Sequence, residues 1–188
     1  MKVDAQRIPP NQRFTSSFPV LHFGGVPRFD PRTWDFTVEG LVQNPLKLTW
    51  QEFQKLPRTI SVGDFHCVTG WSRLDNKWEG VTFRTVYDLV NPSTEAKFVT
   101  IIAEGKYTTS LSLEDLLDPG VLLAYGFNDK PLAPEHGGPL RLVVPKKYAY
   151  KSAKWVRKLR FTMEQELGFW ETRGYSNTAD PWKEERCS

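Results

Sequence analysis

The chain has 188 residues, of which 39% are hydrophobic, 13% aromatic and 25% charged; this is the composition of a folded globular protein and excludes intrinsic disorder. Its net charge of +3 is too small for bulk charge to point to nucleic acid or a membrane surface. Only two cysteines occur, Cys67 and Cys187, which excludes a disulfide framework and a multi-cysteine zinc site, and no stretch approaches the apolar length of a membrane span.

In chain order, residues 1–7 lack the apolar run of a secretory signal, so the expectation is a cytoplasmic protein. Residues 7–32 hold five prolines and Gly24-Gly25, which predicts an irregular N-terminal wrap over 1–32 whose apolar stretch, Phe18 to Phe23, packs across the domain. Residues 34–40 alternate apolar and polar and predict a half-buried strand, followed by a turn at Asn44-Pro45. Thr49 and Glu52 have capping-box spacing for a short helix that stops before Pro57, and Ser112 to Asp115 repeats the device for a second one ending near Pro119. Residues 84–90 read as a third short helix. Segments 59–65, 97–103, 121–126, 140–144 and 155–162 are rich in Val, Ile, Leu and aromatics and read as strands. The expected fold class is therefore α+β, mixed β-sheets with short helices, in one domain over 1–188. A polar and aromatic tail, 168–188, is expected to dock on the surface for structural reasons, with Cys187 on a mobile end.

Two constellations could carry chemistry. Cys67 follows a predicted strand and enters a loop, a common mounting for a site. A lone cysteine is usually a small buried hydrophobe, but His66 and the polar cluster after it also suit a soft thiolate ligand. The second runs from Pro134-Glu135-His136-Gly137-Gly138 to Lys154. Between His136 and Met163 there is no acidic residue and there are eight Lys or Arg, so the remainder of the chain is net negative. That field suits a small multivalent anion such as a phosphate, held by Lys, Ser and backbone amides; a solvated strand face is the alternative. Nucleic acid is disfavoured, because the prolines and glycines imply a shaped pocket. His136 lies where the backbone must approach something closely, while His22 and His66 read equally well as structural.

With Cys67, His136, Arg141 and Lys151-Ser152-Ala153-Lys154 in view, the chain resembles the sulfite oxidase superfamily over nearly its whole length. Gly24-Gly25-Val26-Pro27-Arg28-Phe29-Asp30-Pro31, Leu123-Ala124-Tyr125, Pro131-Leu132, Val144-Pro145 and Lys154-Trp155 support the resemblance by order and spacing. It implies a Mo-molybdopterin cofactor, a single pterin with no nucleotide, with Cys67 as the one protein ligand to the metal. His136 and Arg141 are then pterin contacts, Ser152, Ala153 and Lys154 cradle the terminal phosphate, and Leu21 and His22 touch the pterin from the N-terminal segment. Ala103 stands where the family often has a polar contact, so a contact there must come from backbone. The Cys67-Val68-x-x-Trp71-Ser72 stretch is similar to the branch that includes the bacterial methionine-sulfoxide reductase catalytic subunit. Sulfite oxidases tend to place paired arginines just after the cysteine; here there is only Arg73.

The resemblance thus implies an oxygen-atom-transfer oxidoreductase, first a reductase of S- or N-oxides and alternatively a sulfite oxidase, with Tyr107, Trp71 and Arg73 as candidate substrate-pocket residues. Counterparts of the family's haem, immunoglobulin-like and export segments are not found, so the expected partners are a small oxide or oxyanion substrate and a separate electron-transfer protein. A cysteine-nucleophile enzyme pairing Cys67 with His136 and a non-catalytic anion- or nucleic-acid-binding module are the readings from other classes.

Overall fold

The computed structural model describes residues 4–188; Met1 to Val3, the first residues of the segment read for a signal, lie outside the described residues. Eleven strands and three short α-helices follow one another: β1 (Arg13–Phe14), β2 (Asp35–Gly40), β3 (Leu46–Thr49), α1 (Trp50–Phe53), β4 (Thr59–Cys67), β5 (Trp71–Thr82), α2 (Phe83–Val90), β6 (Phe98–Ala103), β7 (Thr108–Ser112), α3 (Leu113–Leu116), β8 (Leu122–Phe127), β9 (Lys130–Pro131), β10 (Arg141–Val143) and β11 (Val156–Thr162). They form two mixed sheets, the α+β architecture expected. Among the described residues no helix is long and apolar enough to cross a membrane.

The helices start where their caps predict. Thr49 Oγ1 accepts from the Glu52 amide and Glu52 accepts from the Thr49 amide, closing the capping box of α1. Ser112 and Thr82 cap α3 and α2 in the same way through the amides of Asp115 and Thr85. α1 and α3 are single turns, whereas α2 buries Phe83, Val86 and Val90 at helical spacing. The stop of α2 is Asn91, at φ 46°, a left-handed position that Asn tolerates.

The first sheet is ordered β1-β5-β8-β10, with β4 on β5 and β9 on β8. The second is β3-β2-β11-β6-β7, antiparallel except for the parallel β2–β11 pair. β5, the longest strand at 12 residues, is not among the strands expected from sequence, because Arg73, Asp75, Asn76, Lys77 and Gly80 have little intrinsic β preference. It forms because it pairs with β1, β4 and β8; its buried Ser72 and Asn76 are satisfied by His66 and by the Gly63 and Arg73 carbonyls.

Successive residues of a strand face opposite ways, and the first sheet uses both faces. Val81, Leu123 and Leu142 point into the main core shared with Phe36, Val38, Ile101, Leu159 and Phe161 of the second sheet. Phe65, Cys67, Trp71, Trp78, Leu122, Ala124 and Val143 form a second buried cluster. The N-terminal segment closes that second face: β1 pairs in parallel with the start of β5, and Phe18 packs on the cluster.

Candidate active site

A cavity of about 320 Å³ opens on the second cluster. Cys67, 7% exposed, lines it from the end of β4. The β4–β5 hairpin places it there: Cys67 pairs with Trp71 across a three-residue loop, closed by a bond from the Gly70 amide to the Cys67 carbonyl at 3.0 Å. Gly70 sits at φ +95°, which a residue with a Cβ adopts only under strain. Thr69 Oγ1 donates to the Cys67 sulfur at 3.2 Å and thereby orients it. Both chain ends hold this loop. Gln12 Nε2 donates to the Cys67 carbonyl at 3.1 Å, and Arg186 in the tail donates to the Val68 carbonyl.

Arg141 lines the same cavity from β10. Its side chain is 2% exposed and lies against Phe65 and Trp78, with its guanidinium carbon 5.2 and 5.5 Å from their ring centres. It donates to the carbonyls of His136 at 2.8 Å and Ser152 at 3.0 Å, while Nε has no partner. Burial draws its pKa down to about 9. A buried guanidinium that faces a cavity and has no carboxylate partner among the described residues is suited to pairing with an anion.

Lys154 is the second cation. It donates to the carbonyls of Leu21 at 2.8 Å and Glu135 at 2.6 Å, tying the N-terminal segment to the cavity rim. Burial, and after it the Arg141 charge, lowers its pKa to about 7. The Gly137-Gly138 pair allows this packing: a Cβ on Gly137, at φ +110°, would press at 3.0 Å on the stems of Arg141 and Lys154, and one on Gly138 would strike the Leu132 carbonyl. The close approach expected at these glycines is thus to the protein itself.

The basic run from His136 to Met163 is largely neutralised. Lys146 pairs with Asp118, Lys147 with Asp115, Lys151 with Glu171, Arg157 with Asp35 and Glu104, and Lys158 and Arg160 with Glu39. Among the described residues only Arg141 and Lys154 of the eight have no carboxylate partner, so the cradle read from sequence narrows to two cations. An anion bound beside Lys154 should return its pKa toward the ordinary lysine value. Above about pH 7 the free protein has lost that proton while the bound form keeps it, so binding takes up a proton and weakens as pH rises. Titrating inorganic sulfate, whose charge is constant over this range, by calorimetry should show constant affinity below pH 6 and a fall approaching about tenfold per unit between pH 7 and 9; a flat profile would remove Lys154 from the site.

The structure brings Leu21, His22, Cys67, Tyr107, Arg141, Ser152, Ala153 and Lys154 to the one cavity. Ser152 Oγ accepts from the Val144 amide at 2.9 Å, which fixes its orientation. Tyr107 reaches the cavity with its hydroxyl already donated to the Tyr150 carbonyl at 2.5 Å; burial raises its pKa well above the usual value. Three candidates stand apart. Ala103 ends β6, its amide spent on the Tyr107 carbonyl at 2.9 Å, and it does not line the cavity. Arg73 lies behind the wall, donating to Asn76 and to the Ser16 carbonyl and set 5.0 Å from the Phe127 ring centre. The His136 ring is also behind it, stacked on Phe18 at 4.2 Å. His66, whose pKa burial lowers, is bonded to Ser72 at 2.8 Å and is no part of the cavity.

The tail, expected to dock for structural reasons only, also builds the cavity wall. Trp170 and Tyr175 line the cavity, as do Phe18, Phe23, Tyr150 and Trp155. The density of aromatics along a polar tail signals burial against something apolar, but not against which surface. Cys187 is exposed and its thiol is free, and its backbone forms an isolated antiparallel β-bridge with Tyr175.

Residues 23–170 match the oxidoreductase molybdopterin binding domain. The chain is 49% identical over 181 residues to the uncharacterized oxidoreductase YuiH of Bacillus subtilis (strain 168), covering 96% of this chain and 91% of that one. It is 32% identical over 161 residues to the protein-methionine-sulfoxide reductase catalytic subunit MsrP of Campylobacter jejuni, covering 77% of this chain but only 54% of MsrP. It therefore spans about half the length of that relative. The sulfane dehydrogenase SoxCD of Paracoccus pantotrophus shares the fold, with a TM-score of 0.71 at 23% identity over 77% of this chain and 42% of that one.

Proposed function

The chain belongs to the oxidoreductase molybdopterin-binding family, and from that premise we propose that it catalyses oxygen-atom transfer, in the direction of reducing an S- or N-oxide. The observation that carries the reading is the convergence on one cavity of a thiol and two cations without carboxylate partners, Cys67, Arg141 and Lys154. These residues fit a single anionic pterin carrying molybdenum. Cys67 would hold the metal, soft thiolate being matched to such a centre. The orphaned Arg141 Nε and the Lys154 ammonium would hold the pterin's oxygens and phosphate. When bound, the cofactor supplies two-electron oxygen-transfer chemistry. The chain's own residues bind and orient it and exclude water: Trp71, Trp155, Trp170 and Tyr175 wall the cavity, and an apolar wall favours an uncharged oxide. The electrons would come from a separate protein. Methionine sulfoxide in proteins, the substrate in the name of the MsrP relative, is the first member of the substrate class to assay.

The test is molybdenum and pterin content of protein produced in a host that makes the cofactor, for the native chain and Arg141→Met, followed by oxygen-transfer assays with sulfoxides, N-oxides and sulfite. The native chain should carry both, and Arg141→Met should retain at least about tenfold less, as expected for a lost charged hydrogen bond. A native chain devoid of molybdenum would refute the reading. Turnover of sulfite with none of the oxides would reverse the direction.

A further inference from the structure

We propose that Phe18 is a specificity-determining residue. Its ring screens Arg73 and His136 from the cavity beside Cys67, so that the site accepts an uncharged oxide and rejects a doubly charged oxyanion. This rests on the oxygen-transfer reading and adds to it the residue that sets the charge of the substrate.

Phe18 comes from the irregular segment between β1 and β2 and lines the cavity. Its ring lies 4.2 Å from His136, nearly parallel at 11°. The guanidinium carbons of Arg73 and Arg141 are 6.0 and 5.9 Å from its centre, and Trp71 and Phe65 meet it edge-on at 6.1 and 5.6 Å. Of these neighbours Arg141, Trp71 and Phe65 reach the cavity themselves; Arg73 and His136 do not. The ring is therefore the layer between the cavity and two basic side chains. Arg73 has no carboxylate partner among the described residues; it is held by Asn76, the Ser16 carbonyl and the faces of Phe18 and Phe127. His136 Nδ1 is buried without a partner. Arg73 is half-buried, and a guanidinium with aromatic faces and neutral oxygens but no carboxylate beside it attracts a dianion once the ring is removed. With the ring in place, the same position offers a substrate an apolar surface.

The test titrates inorganic sulfate into cofactor-free protein, read by tryptophan fluorescence, since Trp71 and Trp78 border the Phe18 ring. Arg141 and Lys154 give every variant the same background. Phe18→Ala and Phe18→Val, either of which removes the ring, should bind sulfate at least about tenfold more tightly than the native chain, a difference of about 1.4 kcal/mol. Phe18→Tyr should not, and adding Arg73→Gln to Phe18→Ala should abolish the gain. In the loaded enzyme, Phe18→Ala should lower KM for sulfite more than it changes kcat and raise KM for an uncharged sulfoxide. Folded ring-less variants that bind sulfate no better than the native chain, or a gain that survives Arg73→Gln, would overturn the proposal. The titration needs no molybdenum, so absence of the cofactor would sink the function proposed above while still deciding whether Phe18 is a screen.

Discussion

Cys67→Ser is expected to lower turnover by on the order of a thousandfold or more while leaving the fold intact. Loss of a group that merely supports a metal ligand typically costs about 10–100-fold, and loss of the ligand itself should exceed that. The substitution is nearly isosteric, and the bonds that hold the loop use the Cys67 backbone: its carbonyl accepts from Gly70 and Gln12. What changes is chemistry at one atom. The serine hydroxyl does not ionise near neutrality and is a harder, poorer match to the centre, and the Thr69 hydroxyl that donates to sulfur at 3.2 Å would donate to that oxygen instead. Steady-state assays with molybdenum counted per chain, beside a urea melt, check this. Full metal-dependent activity in Cys67→Ser would remove Cys67 as ligand; a melt shifted by several kcal/mol would mean that the residue is structural.

Lys151→Met should be the most damaging single change to stability, at about 3–5 kcal/mol, because it leaves a buried carboxylate without its cation. Lys151 and Glu171 have side-chain exposures of 0% and 1% and approach to 2.5 Å. Lys151 also donates to the Ser110 carbonyl at 3.0 Å, and Thr109 donates to the same Glu171 oxygen at 2.6 Å. This buried group ties the tail to β7 next to Trp170 and the cavity. Urea unfolding at neutral pH, native chain against variant, measures the loss. The double substitution Lys151→Met with Glu171→Leu should recover part of the loss, since it removes the stranded charge. A single variant as stable as the native chain would contradict the account.

Much of the architecture was legible because its signals are local. Caps at Thr49 and Ser112, alternation over 34–40 and the β-rich runs before Cys67 and after Trp155 specify elements through backbone bonds and burial within a few residues. The residue types of the site were legible as well: a thiol after a strand, a Gly pair, and Ser-Ala-Lys after a strand. Strand β5 was not, because cross-strand partners outweigh its weak propensities. Nor was the part of the tail in the cavity wall, since Trp170 and Tyr175 give no sign in sequence of what they face.

The sequence by itself determined which side chains were available near the site; the fold decided which of them are free to act. Eight cations without an intervening acid made one basic segment on paper, yet parallel pairing of β11 with β2 sets Arg160 opposite Glu39, which also takes Lys158, and five other carboxylates, remote in the chain, take up Lys146, Lys147, Lys151 and Arg157, leaving Arg141 and Lys154. Arg73 stands six residues from Cys67 in the chain and outside its cavity, behind Phe18. The physical reason is the same in each case. Charge neutralisation and exclusion from a cavity depend on distances of a few ångströms between strands and segments far apart in sequence, and those distances are set by sheet register and packing rather than by local composition.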